Sequence, residues 1–387
     1  MPMHEDRREA VEFLLELVCG APPERLVDEW RRLGRLGRRR VVLSEASRLN
    51  VAAALGRFCE ALPAEDVDDS AVEAAAALAF SRGRVEAVLG LVLDLCRARC
   101  LSVRRAVLVK GAALSLAGLY AGERELGDAD LLVEAAATED WRLASRAAGA
   151  EWREQEDEGY EVAGIRRAGA LVELHVALPG DGGKVCGPGF AAVWDRSVPV
   201  AAETAVDLRV PDSESAREIA VHHAVFHHRG DPEYVMRALQ DVARLEVAGA
   251  GASGRTLFPE PEVVGAVAHF RAAAKQAARP LAAEGEADTA FASGLLRIGV
   301  ASREERFARG VDGWLAAARR DGRSPFAFAL RQAVGQETGP AGLAGRLAKL
   351  AVRYVAGRTL PGARRRRRAE EEWISFLSGR GARTRAS

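Results

Sequence analysis

Hydrophobic positions near the start of the chain recur with helical spacing. Val11, Leu14, Leu15 and Val18 share one face, and Gly20-Ala21-Pro22-Pro23 ends the pattern. Helical periodicity continues to about residue 100. Residues 71–99 are rich in Ala and Leu, interrupted weakly by Gly83 and Gly90, and predict one long helix or a helical pair, since Ala is the best intrinsic helix former. The period then changes. A short apolar run at 106–109 ends at Lys110-Gly111, helical spacing returns through Leu114, Leu116, Ala117 and Tyr120, and a second short apolar run covers 130–133. Residues 143–148 read as helix. Strand-like runs at 160–166 and 171–178 flank Ala168-Gly169, which predicts a hairpin. A glycine-rich stretch (Gly180, Gly182, Gly183, Gly187, Gly189) leads to Trp194, and helices are expected at 216–226, 232–248, 262–278 and 287–298. No fixed-period repeat is present.

These patterns predict an α+β fold. A small mixed-sheet core at 101–200 is flanked by an N-terminal helical region (1–100) and a C-terminal helical domain (201–360). Five consecutive arginines at 364–368 open a basic tail, 361–387, which contains a short acidic-to-apolar helix at 370–377 and is expected to be partly disordered.

Composition narrows the partners. The chain has 387 residues, 48% hydrophobic and 28% charged, with 55 Lys+Arg against 55 Asp+Glu. A global basic field is excluded as a reason for binding nucleic acid, which leaves only local patches. The arginine run lacks interleaved aromatics for base stacking and reads first as a solvated segment. The five cysteines are scattered and odd in number, which argues against a disulfide framework. Cys96 and Cys100 lie four apart without a second Cys or His pair, so packing is the expectation. The charged first ten residues lack the apolar stretch of a signal peptide, and the apolar runs at 71–80 and 87–95 are too short or interrupted to span a bilayer. A cytoplasmic protein with no membrane partner is expected.

Candidate chemistry gathers in the middle. Asp128 and Asp130 are separated by one residue at the entry to an apolar strand, so both project to one face. Burying two like charges is costly, and a divalent cation relieves the cost; Mg²⁺ takes one or two carboxylates plus phosphate oxygens. Glu173 interrupts the apolar strand Leu171-Val172-Glu173-Leu174-His175. It shares a face with His175, while Val172, Leu174 and Val176 share the other. Pairing of that strand with the one bearing Asp128 and Asp130 would bring three carboxylates together. Lys110-Gly111 stands at a strand-to-helix junction, where Gly permits close backbone approach and Lys offers a point charge to phosphate. The Gly-x-x-x-x-Gly-Lys-Ser/Thr phosphate loop is absent.

The run Lys110-Gly111-Ala112-Ala113-Leu114, then Tyr120, then Arg124-x-x-x-Asp128-x-Asp130-Leu-Leu-Val resembles an uncharacterised bacterial nucleotidyltransferase family of the DNA polymerase β superfamily, in which Lys-Gly stands where other members carry Gly-Ser. The likeness extends to Val172-Glu173-Leu174-His175, to His223 and His227, and to Leu239-Gln240-Asp241-Val242, covering roughly residues 100–250. It implies Asp128 and Asp130 as metal ligands with Glu173 as the third acid. It also implies Lys110, Gly111 and Arg124 near the triphosphate, and His175, His223, His227 and Asp241 lining the substrate. The implied cofactor is Mg²⁺ or Mn²⁺, and the implied partners are a nucleoside triphosphate and an unknown hydroxyl acceptor. Ala129 departs from the family, which usually has a bulky aliphatic residue between the two acids.

Rival readings use the same residues. The aspartates can cap a turn, Arg124 can pair with Asp128, and the fold can serve as a non-catalytic nucleotide-binding or antitoxin-like module. The cluster His222, His223, His227 and His228, with His223 and His227 at i and i+4 on one helical face, suits a helical metal hydrolase. However, Ala224 follows His223 where a metalloprotease has Glu, and no adjacent His-Asp pair exists.

Overall fold

The computed structural model describes residues 2–98, 105–154, 160–180, 186–249, 256–277 and 371–378. The expected helix at 287–298, the arginine run at 364–368, Cys100, Gly182 and Gly183 lie outside the described residues. Met1–Arg297 and Ile374–Ser387 form one compact unit and Ile298–Trp373 a second. The first carries all that follows.

Its N-terminal region contains α1 (Pro2–Val18), α2 (Pro23–Arg35), α3 (Arg39–Arg48), α4 (Ala52–Cys59) and α5 (Asp69–Arg97). Phe13 of α1, Trp30 of α2 and Phe58 of α4 lock these three helices together, with ring centroids 5.7–5.9 Å apart. The Ala-rich stretch is a single 29-residue helix, capped by the Asp68 side chain accepting from the Ala71 N–H at 3.0 Å. Gly56 lets α4 press on α5, since a Cβ there would collide with the Ala74 carbonyl.

The middle comprises β1 (Arg105–Val109), α6 (Lys110–Leu116), β2 (Ala129–Leu132), α7 (Thr138–Ala147), β3 (Glu151–Glu154), β4 (Glu161–Arg167) and β5 (Ala170–His175). After it come β6 (Ala177–Pro179), β7 (Cys186–Gly189), α8 (Phe190–Trp194), β8 (Ser197–Pro199) and β9 (Asp207–Pro211). Seven strands form one mixed sheet in the order β3-β4-β5-β2-β1-β9-β8, and β6 pairs with β7 separately. The fold is α+β, as the periodicity predicts. Ala168 and Gly169 both take positive φ (48° and 84°), as the two-residue type I′ turn joining β4 to β5 requires. The expected run at 171–178 divides, because the chain leaves the large sheet after His175.

Strand alternation gives the sheet two unlike faces. Ala106, Leu108, Ala129, Leu131, Val172 and Leu174 join a buried cluster with Val88, Leu91, Val92 and Leu95 of α5 and Trp141 of α7. Cys96 is free and buried in the same cluster, consistent with a packing role. The opposite face carries Asp130, Glu173 and His175.

Over that face lie α9 (Ser213–His222), a π-helical turn (His223–His227) and α10 (Pro232–Val247), followed by α11 (Pro261–Ala277). Asp212 caps α9 through the Ser215 N–H at 2.7 Å. The N-terminal region reaches this area as well. Glu125 accepts the Ala53 N–H at 3.0 Å, and Asn50 lies between Glu125 and Arg237, where its amide, turned with the nitrogen towards Glu125, donates to that carboxylate and accepts from Arg237. Among the described residues, no helix is long and apolar enough to cross a membrane.

Candidate functional site

β1 and β2 run antiparallel with Val109 opposite Asp130, while β2 and β5 run parallel with Asp130 opposite Glu173 and Leu132 opposite His175. This register puts the Lys110 end of β1, Asp130 of β2 and the Glu173 face of β5 side by side. Lys110 takes a left-handed backbone, φ 57°, at the start of α6. Its Nζ donates to Asp130 Oδ1 at 2.6 Å. His175 Nε2 lies 3.1 Å from the same oxygen and 3.7 Å from Glu173 Oε2. Asp130 and His175 are buried, whereas the Glu173 side chain keeps 25% exposure and so remains within reach of a ligand.

Electrostatics separates the two aspartates. Burial alone would raise the Asp130 pKa, but Lys110 and His175 outweigh it and hold the carboxyl well below its usual range. Asp128 is pushed up to about 6 by burial, then by the charges of Asp130 and Glu173. His175 shows the converse: burial disfavours its imidazolium, yet the carboxylates of Asp130 and Glu173, facing its Nε2–H as acceptors, lift its pKa to about 9. Lys110 is likewise raised, because Asp130, Asp128 and Glu173 together overcome its desolvation.

Ligating atoms of Asp130, Glu173 and His175 all lie within 4.8 Å of one another, a set able to hold a metal ion. Asp128 stands outside this set but lines the same cleft, a cavity of about 360 Å³. The sequence places the metal on Asp128, Asp130 and Glu173; the tightest grouping in the structure has His175 in the place of Asp128. The donor types, two carboxylates and an imidazole, fit a cation, and here the Lys110 ammonium supplies the positive charge beside them that a bound ion would otherwise provide.

No family model, curated protein or solved structure matches this chain.

Arg124 lines the cleft, but its donors are engaged. Nε and Nη2 form a fork on Asp241, at 2.9 Å to Oδ1 and 3.1 Å to Oδ2, and Nη1 donates to the Glu125 carbonyl at 3.1 Å. Tyr120 donates its hydroxyl to Asp241 Oδ1 at 2.8 Å. Asp241, named as substrate-lining, holds Arg124, and Asp128 is not the partner of that guanidinium. Gly111 leaves room for this arrangement: a Cβ there would lie 3.0 Å from Leu126 Cδ2 and 3.2 Å from Arg124 Cζ.

The helical wall brings His223, His227 and His228 together. The rings of His223 and His227 stack at 4.9 Å, and Nε2 of His223 lies 3.1 Å from Nε2 of His228. Burial, with smaller contributions from Lys110 and the neighbouring imidazoles, pushes His227 down to about 4 and His228 to about 2, and drives His223 well below its ordinary value. His222 stacks on Phe258 at 4.1 Å and packs away from this group.

Three cleft residues, Tyr160, Tyr234 and Arg237, were not singled out by the sequence. His228 stacks on Tyr234 at 3.4 Å between centroids, and the Arg237 guanidinium lies 5.3 Å from the Tyr234 ring. Burial, then the charge of Arg124, lowers the Arg237 pKa. Tyr160 stacks on His175 at 5.7 Å and meets His227 edge-on at 6.3 Å. One signal for two of these was present: Tyr234, Arg237 and Asp241 are spaced three and four apart, one face of a helix.

Proposed function

We propose that this cleft transfers a nucleoside monophosphate from a nucleoside triphosphate to a hydroxyl acceptor. The acceptor oxygen attacks the α-phosphorus, the bond from that phosphorus to the β-phosphate bridging oxygen breaks, and pyrophosphate leaves. The observation that carries the reading is the register that sets Asp130 against Glu173, with Asp128 two residues upstream and Lys110-Gly111 across the antiparallel pair. Asp130 and Glu173, with Asp128 beside them, would hold Mg²⁺ or Mn²⁺, which when bound neutralises charge on the triphosphate. Lys110 is placed to exchange its contact with Asp130 for a phosphate oxygen. Glu173, the most exposed of the ligand set, is the group for taking the acceptor proton. Arg237, a buried cation whose Asn50 partner is neutral, adds positive charge to the same wall. The acceptor class is a small molecule, a protein or an RNA, and the setting is cytoplasmic, where nucleoside triphosphate is at hand.

Incubation with labelled nucleoside triphosphates and Mg²⁺, following pyrophosphate release and self-labelling, tests the proposal. Failure to bind any nucleotide, or binding indifferent to Asp128→Ala and Asp130→Ala, would overturn it. The Lys110–Asp130 contact favours one second reading, a nucleotide-binding module whose acidic site is neutralised by its own ammonium. Metal-independent nucleotide binding without pyrophosphate would point there.

A further inference from the structure

We infer that His223, His227 and His228 form a binding site for one divalent ion of the zinc class, distinct from the acidic set on the sheet. One ligating nitrogen from each of the three lies within 4.8 Å of the other two. The backbone is shaped for this. In a regular helix of 3.6 residues per turn, a step of five residues carries a side chain roughly 140° around the axis, so His228 would face away from His223. The π-helical turn closes instead through the His228 N–H on the His223 carbonyl at 3.0 Å, and the two Nε2 atoms come within 3.1 Å. Single π-turns inside helices are rare and frequent at functional sites. The turn then ends in two left-handed residues, Arg229 (φ 54°) and Gly230 (φ 71°).

The donors suit a borderline ion. Three imidazoles select zinc, copper, nickel or iron, whereas carboxylate oxygens suit magnesium and manganese. Burial keeps these rings in the neutral, ligating form. The Nδ1 atoms of His223 and His227 are buried without a hydrogen-bond partner, which a purely packed cluster leaves unexplained. Tyr234, stacked on His228, fixes that ring. Three protein ligands leave a tetrahedral ion one open position, for water or for an anionic group admitted to the cleft that these histidines share with Glu173. This site does not depend on the nucleotidyl-transfer reading.

The test titrates the full-length, chelator-stripped protein with Co²⁺ and reads its visible d–d absorption. The expected result is one equivalent that is retained under a large excess of Mg²⁺ and displaced by Zn²⁺. His223→Gln and His228→Gln should each weaken binding by at least about 100-fold, because losing even an outer-shell partner costs about 10–100-fold. Asp130→Asn should leave it unchanged. Absence of Co²⁺ binding overturns the site, and so does binding lost in Asp130→Asn but kept in the histidine variants. Should a histidine variant fail to fold by circular dichroism, X-ray absorption of the zinc-loaded wild type decides. Three imidazole nitrogens at about 2.0–2.1 Å uphold the site, and an oxygen-dominated shell rejects it.

Discussion

On the sheet wall of the cleft, Asp130 is buried as a charge and meets Lys110 at 2.6 Å and His175 at 3.1 Å. On the helical wall, His223, His227 and His228 are held uncharged by burial, and none of them ion-pairs with a carboxylate among the described residues. One wall balances opposite charges against each other; the other avoids charge. The difference shows how two polar surfaces can face the same cavity without repelling. It also sets how each should respond to mutation and pH. A charged wall fails when one member of a pair is removed. A neutral wall tolerates loss of a member but is sensitive to protonation.

The largest effect is expected where the sheet wall is tied to the helical one. Asp241→Ala leaves the buried Arg124 guanidinium without its fork and Tyr120 without its acceptor, and removing one partner of a buried pair costs about 3–5 kcal/mol. Urea unfolding should show that loss as a shift of the midpoint at unchanged slope. Asp130→Asn strikes the charged wall at its centre. If the proposed reaction holds, pyrophosphate release should fall by roughly 100- to 1000-fold, the usual cost of losing one preorganised electrostatic group. An equal rate in both proteins would remove Asp130 from the chemistry.

The pH response distinguishes the walls more finely. The folded pKa of His175 stands at about 9 against an ordinary value of 6.5, so the folded chain keeps a proton that the unfolded chain releases between those values. Its contribution to stability is therefore complete below pH 6.5, declines through the interval and is gone above about 9, with a slope of at most about 1.4 kcal/mol per pH unit. The metal-free protein should lose stability over that window, and His175→Gln should flatten the decline. On the helical wall the sign is opposite in direction. His227, lowered to about 4, disfavours folding progressively as pH drops from 6.5 towards 4, because the unfolded chain takes up the proton first. The smallest effect belongs to the hairpin that delivers Glu173. Ala168 sits at φ 48°, so Ala168→Gly should raise the free energy of unfolding by about 1 kcal/mol in urea titration, since a left-handed backbone costs a non-glycine residue roughly that much.

Much of the sheet wall was legible in the chain. Short apolar runs, the Ala168-Gly169 turn and a Glu among aliphatics carry strand period and face with them, and the register follows from keeping Leu131 and Leu174 in one core. β3 was not legible: Glu-Trp-Arg-Glu at the sheet edge shows no apolar alternation, because Trp152 alone packs against the core and the other three side chains are exposed. β8 and β9 lay beyond a glycine-rich stretch that reads as loop, with Pro199 and Pro211 at their ends. On the helical wall the histidine cluster was legible, but regular spacing pairs only His223 with His227, and it is the π-turn that swings the His228 ring round to join them. The partner of Arg124 was equally hidden. Asp241 is 117 residues away, and no local period announces a contact made through tertiary packing.

Glu125 receives the Ala53 N–H and the Asn50 amide, and Asn50 in turn accepts from Arg237 on the cleft wall. The helices before residue 100 are therefore not a detachable module, although the change of period near residue 105 invites a cut there. A fragment starting at 101 would keep all three acids yet strand Glu125 and loosen Arg237. Any attempt to excise or graft this centre should carry the first hundred residues along with it.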